Sequence, residues 1–138
     1  MKKLSTLLGL TILTFLFLFS CSSDDNDDST SSNEIAQKLV GKWYFTDPST
    51  NPEINNSFTF TSNGKVTYSY WSGGSGNNYD SETGTFSVKG DVLTMIFPDD
   101  VEAVFVQKVT FINDNTVKFV YAENSDEEPY AGTYYKAK

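Results

Sequence analysis

Leu39-Val40-Gly41-Lys42-Trp43-Tyr44-Phe45 is the stretch on which the reading of this chain turns. Before Gly41 the apolar residues sit at helical spacing. After it they alternate. Asn33 reads as an N-cap, Glu34 stands in the first turn, and Ile35, Ala36, Leu39 and Val40 form one small apolar face. The pattern predicts a helix of about two turns, ended by Gly41. Such a helix buries too little to stand alone, so it must lie against whatever follows.

From Gly41 onward the period is two. Strands are predicted over residues 42–46, 57–61, 65–71, 83–89, 92–97, 103–112, 116–122 and 132–136. Alternation is plainest in Phe58/Phe60, Val66/Tyr68/Tyr70, Leu93/Met95/Phe97 and Val117/Phe119/Tyr121. Ser62-Asn63-Gly64 and Lys89-Gly90-Asp91 carry tight hairpin chemistry, and Asn113-Asp114-Asn115 tolerates left-handed backbone. Looser connections are predicted at 47–56, 72–81 and 123–130. Sequential strands joined by hairpins favour an all-β fold, an eight-stranded antiparallel up-and-down barrel with a short N-terminal helix. Closure of the sheet leaves no exposed edge.

Gly41 and Trp43, preceded by a short helix, resemble the Gly-x-Trp opening of lipocalin-type barrels. The wider likeness is to the short lipocalin-like domains of Bacteroidetes lipoproteins, over residues 39–138. The resemblance implies that Trp43 closes the base of the barrel. In that family an Arg from the last strand usually covers the Trp, and this chain has no Arg. Lys136 is the residue placed to stack there, with a weaker grip because an ammonium lacks the flat guanidinium face. The bland alternative is that Trp43 is a core residue of a β-sandwich.

Upstream, residues 1–20 read as a secretory signal: Lys2 and Lys3 precede an apolar run that is too short and too early for a membrane span. Leu18-Phe19-Ser20-Cys21 resembles the lipobox of bacterial lipoproteins, with Phe19 bulkier than the commonest choice. The resemblance implies cleavage before Cys21, diacylglycerol on its sulfur and an acyl chain such as palmitate on its amine. Two or three chains hold a protein stably on a bilayer, whereas one is marginal. The alternative is an ordinary signal peptide with a stray thiol. Cys21→Ser is expected to leave the chain unlipidated; unchanged membrane fractionation would contradict that.

Residues 21–33 hold, after the Cys, only Ser, Asp, Asn and Thr, and are predicted to be a disordered acidic tether. Ser23-Asp24-Asp25 resembles the export signal that carries Bacteroidetes lipoproteins to the cell surface. The resemblance implies an outer-membrane protein facing the medium; the alternative is a linker kept solvated by its acids. A calcium loop is not indicated, because its fixed spacing and closing Glu are missing.

The domain at 34–138 is acidic, in a chain with 18 Asp and Glu against 10 Lys and a net charge of −8. An acidic domain without Arg cannot neutralise phosphates at useful density, which argues against nucleic acid. Without His there is no ordinary Ser/His or Cys/His nucleophile and no imidazole for zinc. Asp80 with Glu82, or Asp99 and Asp100 with Glu102, could form a carboxylate pair, but loop acids are most often solvated. Gly73-Gly74-Ser75-Gly76 lacks the Lys of a phosphate loop. No catalytic residue, metal site or cofactor is therefore expected, and the domain is expected to be monomeric.

Two binding readings remain. Phe58, Phe60, Tyr68, Tyr70, Leu93, Met95, Phe119 and Tyr121 could line a site for a small apolar or amphiphilic ligand, or simply fill the core. An eight-stranded barrel is just wide enough for either. Trp71 has the opposite strand parity from Tyr68 and Tyr70. If those two point inward, Trp71 points out; in this second reading Tyr70, Trp71, Tyr79 and the loop at 73–78 form an exposed aromatic platform suited to a glycan or a protein partner.

Overall fold

The computed structural model describes residues 27–50, 55–74, 78–98, 103–122 and 130–138. Helix α1 (Asp27–Leu39) leads into eight strands: β1 (Gly41–Tyr44), β2 (Ser57–Phe60), β3 (Lys65–Trp71), β4 (Tyr79–Lys89), β5 (Val92–Phe97), β6 (Ala103–Asn113), β7 (Thr116–Tyr121) and β8 (Gly132–Lys136). Each strand pairs antiparallel with the next, and β8 returns to β1 to close the barrel. Closure is short: Trp43 stands opposite Lys136 and Tyr44 opposite Tyr135. The Ala137 N–H donating to the Lys42 carbonyl (2.8 Å) extends that seam by one bond.

The alternation seen in the sequence is the inward and outward parity of these strands. Leu93, Met95 and Phe97 of β5 are buried while Ile96 between them is exposed. Val117 and Phe119 of β7 are buried while Lys118 and Val120 face solvent. Ile112, at 58 % exposure, keeps the outward parity of Lys108 and Thr110, and the register shifts between Phe111 and Asn113. The Asn115 N–H then donates to Asn113 Oδ1 (2.9 Å), which fixes the β6–β7 turn.

Two expectations need correction. Strand β4 begins at Tyr79, not at 83, and pairs Tyr79–Glu82 with Tyr68–Trp71 of β3. Polar residues on both faces hid this segment, because the barrel rim gives it little apolar surface to bury. Helix α1 begins at Asp27, so residues 27–33 of the expected disordered tether are helical and Asn33 is inside the helix, not its N-cap. Tertiary contact outweighs local preference there. The helix packs on β4, and the Gly90 N–H of the β4–β5 turn donates to Ser32 Oγ at 2.6 Å.

One close approach shapes the barrel wall. Gly84 of β4 lies where the β4–β5 ladder begins, one residue before Thr85 pairs with Ile96. A methyl group on Gly84 would run into the Ile96 backbone carbonyl. Gly here lets β4 bend past β5.

Candidate functional site

The barrel ends differ. At the helix end, Trp43 is fully buried. Its indole Nε1–H donates to the Leu39 carbonyl at 2.7 Å, tying the plug to the last turn of α1. The Lys136 ammonium lies over the indole, 5.1 Å from its ring centroid, and donates on to the Lys38 carbonyl at 3.4 Å. Gly41 has φ +127°, and a Cβ there would press on Lys136 Cε at 3.3 Å. Glycine thus serves both the backbone path and the room that the Lys136 stem needs. Helix, Gly41, Trp43 and Lys136 form one cap.

Above the cap the interior is aromatic. Phe58, Phe60, Leu93, Met95 and Phe119 are fully buried and packed into the core. Tyr68 and Tyr70 of β3 are half-buried and stack at 5.2 Å. Tyr121, at the far end of β7, is half-buried as well. Tyr130, just before β8, reaches across the interior, with centroids 5.1 Å from Phe58, 5.2 Å from Tyr68 and 4.6 Å from Phe105. Phe45 sits beside it, 4.8 Å from Tyr134. Among the described residues, the end opposite α1 is therefore crossed by rings.

Tyr134 donates its hydroxyl to the Tyr130 carbonyl at 2.6 Å. Burial, reinforced by the neighbouring phenols of Tyr130 and Tyr68, pushes its pKa well above the ordinary tyrosine value. Burial likewise raises Tyr68, partly offset by the Asn56 amide that donates to its oxygen at 3.3 Å. A raised phenol keeps its proton in the folded state when the unfolded chain has already lost it. The stabilisation is whole below the free value of about 10 and declines as pH rises beyond it. Tyr134→Phe is expected to cost about 0.5–1.5 kcal/mol near neutrality, from the lost hydrogen bond. It should also flatten the alkaline decline, and urea unfolding at pH 8 and pH 11 would check both. An equally steep decline in the variant would assign the alkaline loss to other groups.

One interior side chain is out of keeping. Gln107 of β6 is 0 % exposed, between the inward-facing Phe105 and Val109. Among the described residues, neither its Nε2 nor its Oε1 has a hydrogen-bond partner. Leaving such groups unpaired costs about 1–3 kcal/mol. The sequence carried the signal, a polar residue in the inward series Phe105, Gln107, Val109, Phe111, but hydrophobic alternation alone passes over it.

The outer platform residues are exposed: Trp71 at 38 % and Tyr79 at 39 %, directly opposite one another on β3 and β4. Asn55 and Asn56, which the sequence reading missed, support them: the Trp71 N–H donates to Asn56 Oδ1 at 3.0 Å, and Asn55 holds Tyr79. The Asn55 backbone N–H donates to the Tyr79 hydroxyl at 2.9 Å, and the Asn55 amide exchanges two bonds with the Thr46 backbone, at 2.9 and 2.7 Å. A groove of about 510 Å³ beside the β1–β8 seam is lined by Tyr44, Asp47, Asn115, Tyr135 and Lys138 among others.

Among the described residues no three carboxylate, His or Cys side chains gather to hold a metal. Asp80 is exposed and Glu82 half-buried. Asp99, Asp100, Glu102 and Cys21 lie outside the described residues.

A family model described as a lipocalin-like domain matches residues 39–119, more than half of the chain. The chain belongs to the lipocalin-like domain family. The match opens on Leu39, at the helix end that holds Trp43, and closes on Phe119 in β7. Strand β8, with Lys136 and Tyr134, lies beyond it and is joined to this lipocalin-like domain by the barrel's own ladder. No curated protein matches the chain.

Proposed function

We propose that this lipocalin-like domain is a non-catalytic binding module, held on the outer membrane through Cys21 and facing the medium. Its ligand is a small apolar or amphiphilic molecule taken into the barrel. The observation that carries this reading is the difference between the two ends. Trp43, Leu39 and Lys136 stop one end, while half-buried phenols Tyr68, Tyr70, Tyr121 and Tyr130 gather toward the other. Rings with hydroxyl edges suit a ligand with an apolar body and a polar tip. Support for the anchor is sequence alone: the lipobox-like Leu18-Phe19-Ser20-Cys21 and the acidic Ser23-Asp24-Asp25 behind it. The likeness to Bacteroidetes lipoproteins points the same way.

Native mass spectrometry of the mature chain, purified from its own host, tests the binding reading. A reproducible extra mass that leaves on denaturation is the expected result, and its value would give the ligand class. A chain that is consistently free of cargo would favour a filled barrel acting through its outer surface.

The facing exposure of Trp71 and Tyr79 supports that second reading, a platform for a glycan or protein partner. There, Trp71→Ala should abolish binding while leaving the unfolding midpoint within the range of an ordinary surface change, about 0.5 kcal/mol.

A further inference from the structure

We infer that Gln107 is the polar recognition residue of the barrel interior, and that it selects a flat, uncharged molecule carrying a donor and an acceptor side by side, as a lactam does. The inference rests on the interior-ligand reading above and adds the residue and the ligand chemistry. Gln107 is fully buried, and both polar atoms of its amide lack partners among the described residues. Backbone register sets Leu93 of β5 on one side of it and Tyr121 of β7 on the other. Such an amide has both a donor and an acceptor to offer to a polar partner that side chains of the described residues do not provide.

The surroundings narrow the partner. Buried polar side chains among the described residues are Asn55, Ser57 and Gln107, none of them cationic. A carboxylate drawn into this interior would be unpaired, which is far more costly than burying a neutral amide. The ligand is therefore uncharged. The neighbouring walls are rings, with Phe119 against Tyr134 at 4.6 Å and Phe105 against Tyr130 at 4.6 Å. Aromatic walls favour a flat aromatic body that packs against their faces and edges, and an eight-stranded barrel admits one small molecule. A glutamine amide offers an N–H donor and a carbonyl acceptor in one plane. The edge that satisfies both at once has a carbonyl and an N–H on adjacent atoms.

Three probes of nearly one shape test this by ligand-detected NMR titration of the mature chain: 2-quinolone, N-methyl-2-quinolone and naphthalene. The wild type is expected to prefer 2-quinolone to its N-methyl derivative by about tenfold or more, since the methyl group removes the donor and crowds Gln107 Oε1. Gln107→Met keeps the side-chain length and should erase that preference while binding naphthalene at least as well. Without ligand, Gln107→Met should melt no lower than the wild type, because an unpartnered amide has been removed. Gln107→Leu is the second variant if the first does not fold. Equal binding of the two quinolones by the wild type, or a preference that survives in a folded variant, overturns the role of Gln107; naphthalene binding in that case leaves the interior-ligand reading standing. A lower melting point in both variants would show that Gln107 is satisfied within the fold by water, and would also overturn it. Failure of the wild type to bind any probe overturns the ligand chemistry proposed here, and the cargo mass found in the host-purified chain then decides the broader reading separately.

Discussion

Gly84→Ala is expected to be among the most damaging single substitutions in the barrel, at about 3 kcal/mol or more. The backbone at Gly84 has no unusual φ, so strain in the torsion angle is not the reason. The reason is space. An added methyl would collide with the Ile96 carbonyl oxygen, stand 2.9 Å from its carbonyl carbon and 3.0 Å from Phe97 Cδ1. Ile96 O and C are backbone atoms of β5, and β5 is held on both sides, by β4 from Thr85 and by β6 across Val92 to Phe97. Relief requires β4 and β5 to part where their ladder starts. A domain whose whole stability is about 5–15 kcal/mol feels such a loss as a large drop in its unfolding midpoint. Gly73→Ala is the control. Gly73 has φ +97° but nothing within 4 Å of a new methyl group, so it isolates backbone strain, about 1–2 kcal/mol. If urea unfolding finds Gly84→Ala no worse than Gly73→Ala, β4 slides freely on β5 and the bend is not specified by this glycine.

Gly84 also shows where sequence reading stops. A strand's parity is local, because neighbouring side chains on one chain must face opposite ways. That is why β2, β3, β5, β7 and β8 are legible from alternation and turn residues, within a residue of their observed ends. The close approach at Gly84 joins residues of two strands through the curvature of a closed sheet, and no window of sequence contains it. The head of β4 was hidden for a related reason: Tyr79, Asp80, Ser81 and Glu82 pair with β3 at the rim, where neither face meets a core. Helix α1 likewise takes in Ser and Asn residues of poor helix propensity, and its contact with β4 and Gly90 lies far away in sequence.

The site divides along the same line. Trp43 and Lys136 were legible because a short motif and the end of the last strand meet wherever a barrel closes on itself. The lining rings were legible as inward residues, but parity alone cannot distinguish a packed ring from one that touches a ligand. Tyr130 and Asn55 act from connections, which carry no periodic signal. Gln107 stood in plain view as a polar residue among inward apolar ones, and only its lack of partners gives it meaning.

Trp43→Ala should cost about 3–5 kcal/mol, the range for deleting a buried large aromatic. The side chain is 0 % exposed, so no part of its burial is already lost to solvent. Its removal leaves a cavity between α1 and the strand ends, with Phe111 on its edge at 6.0 Å. It also leaves the Leu39 carbonyl without the indole N–H that satisfies it at 2.7 Å, which loosens the last turn of the helix. Trp43→Phe separates these effects, since it restores most of the apolar bulk but not the donor, and should lose less than half as much. The ammonium of Lys136 adds a smaller share. It is partly solvated and 5.1 Å from the ring, a geometry worth about 0.5–1 kcal/mol. A double-mutant cycle of Trp43→Ala with Lys136→Met should return a coupling of that size, because Met keeps the apolar stem that lies beside Gly41 and removes only the charge. If Trp43→Ala costs less than about 1 kcal/mol, the indole is not the plug of this barrel. The end beneath α1 would then lack its stopper, and the proposal that a ligand enters at the opposite end would lose the observation that carries it.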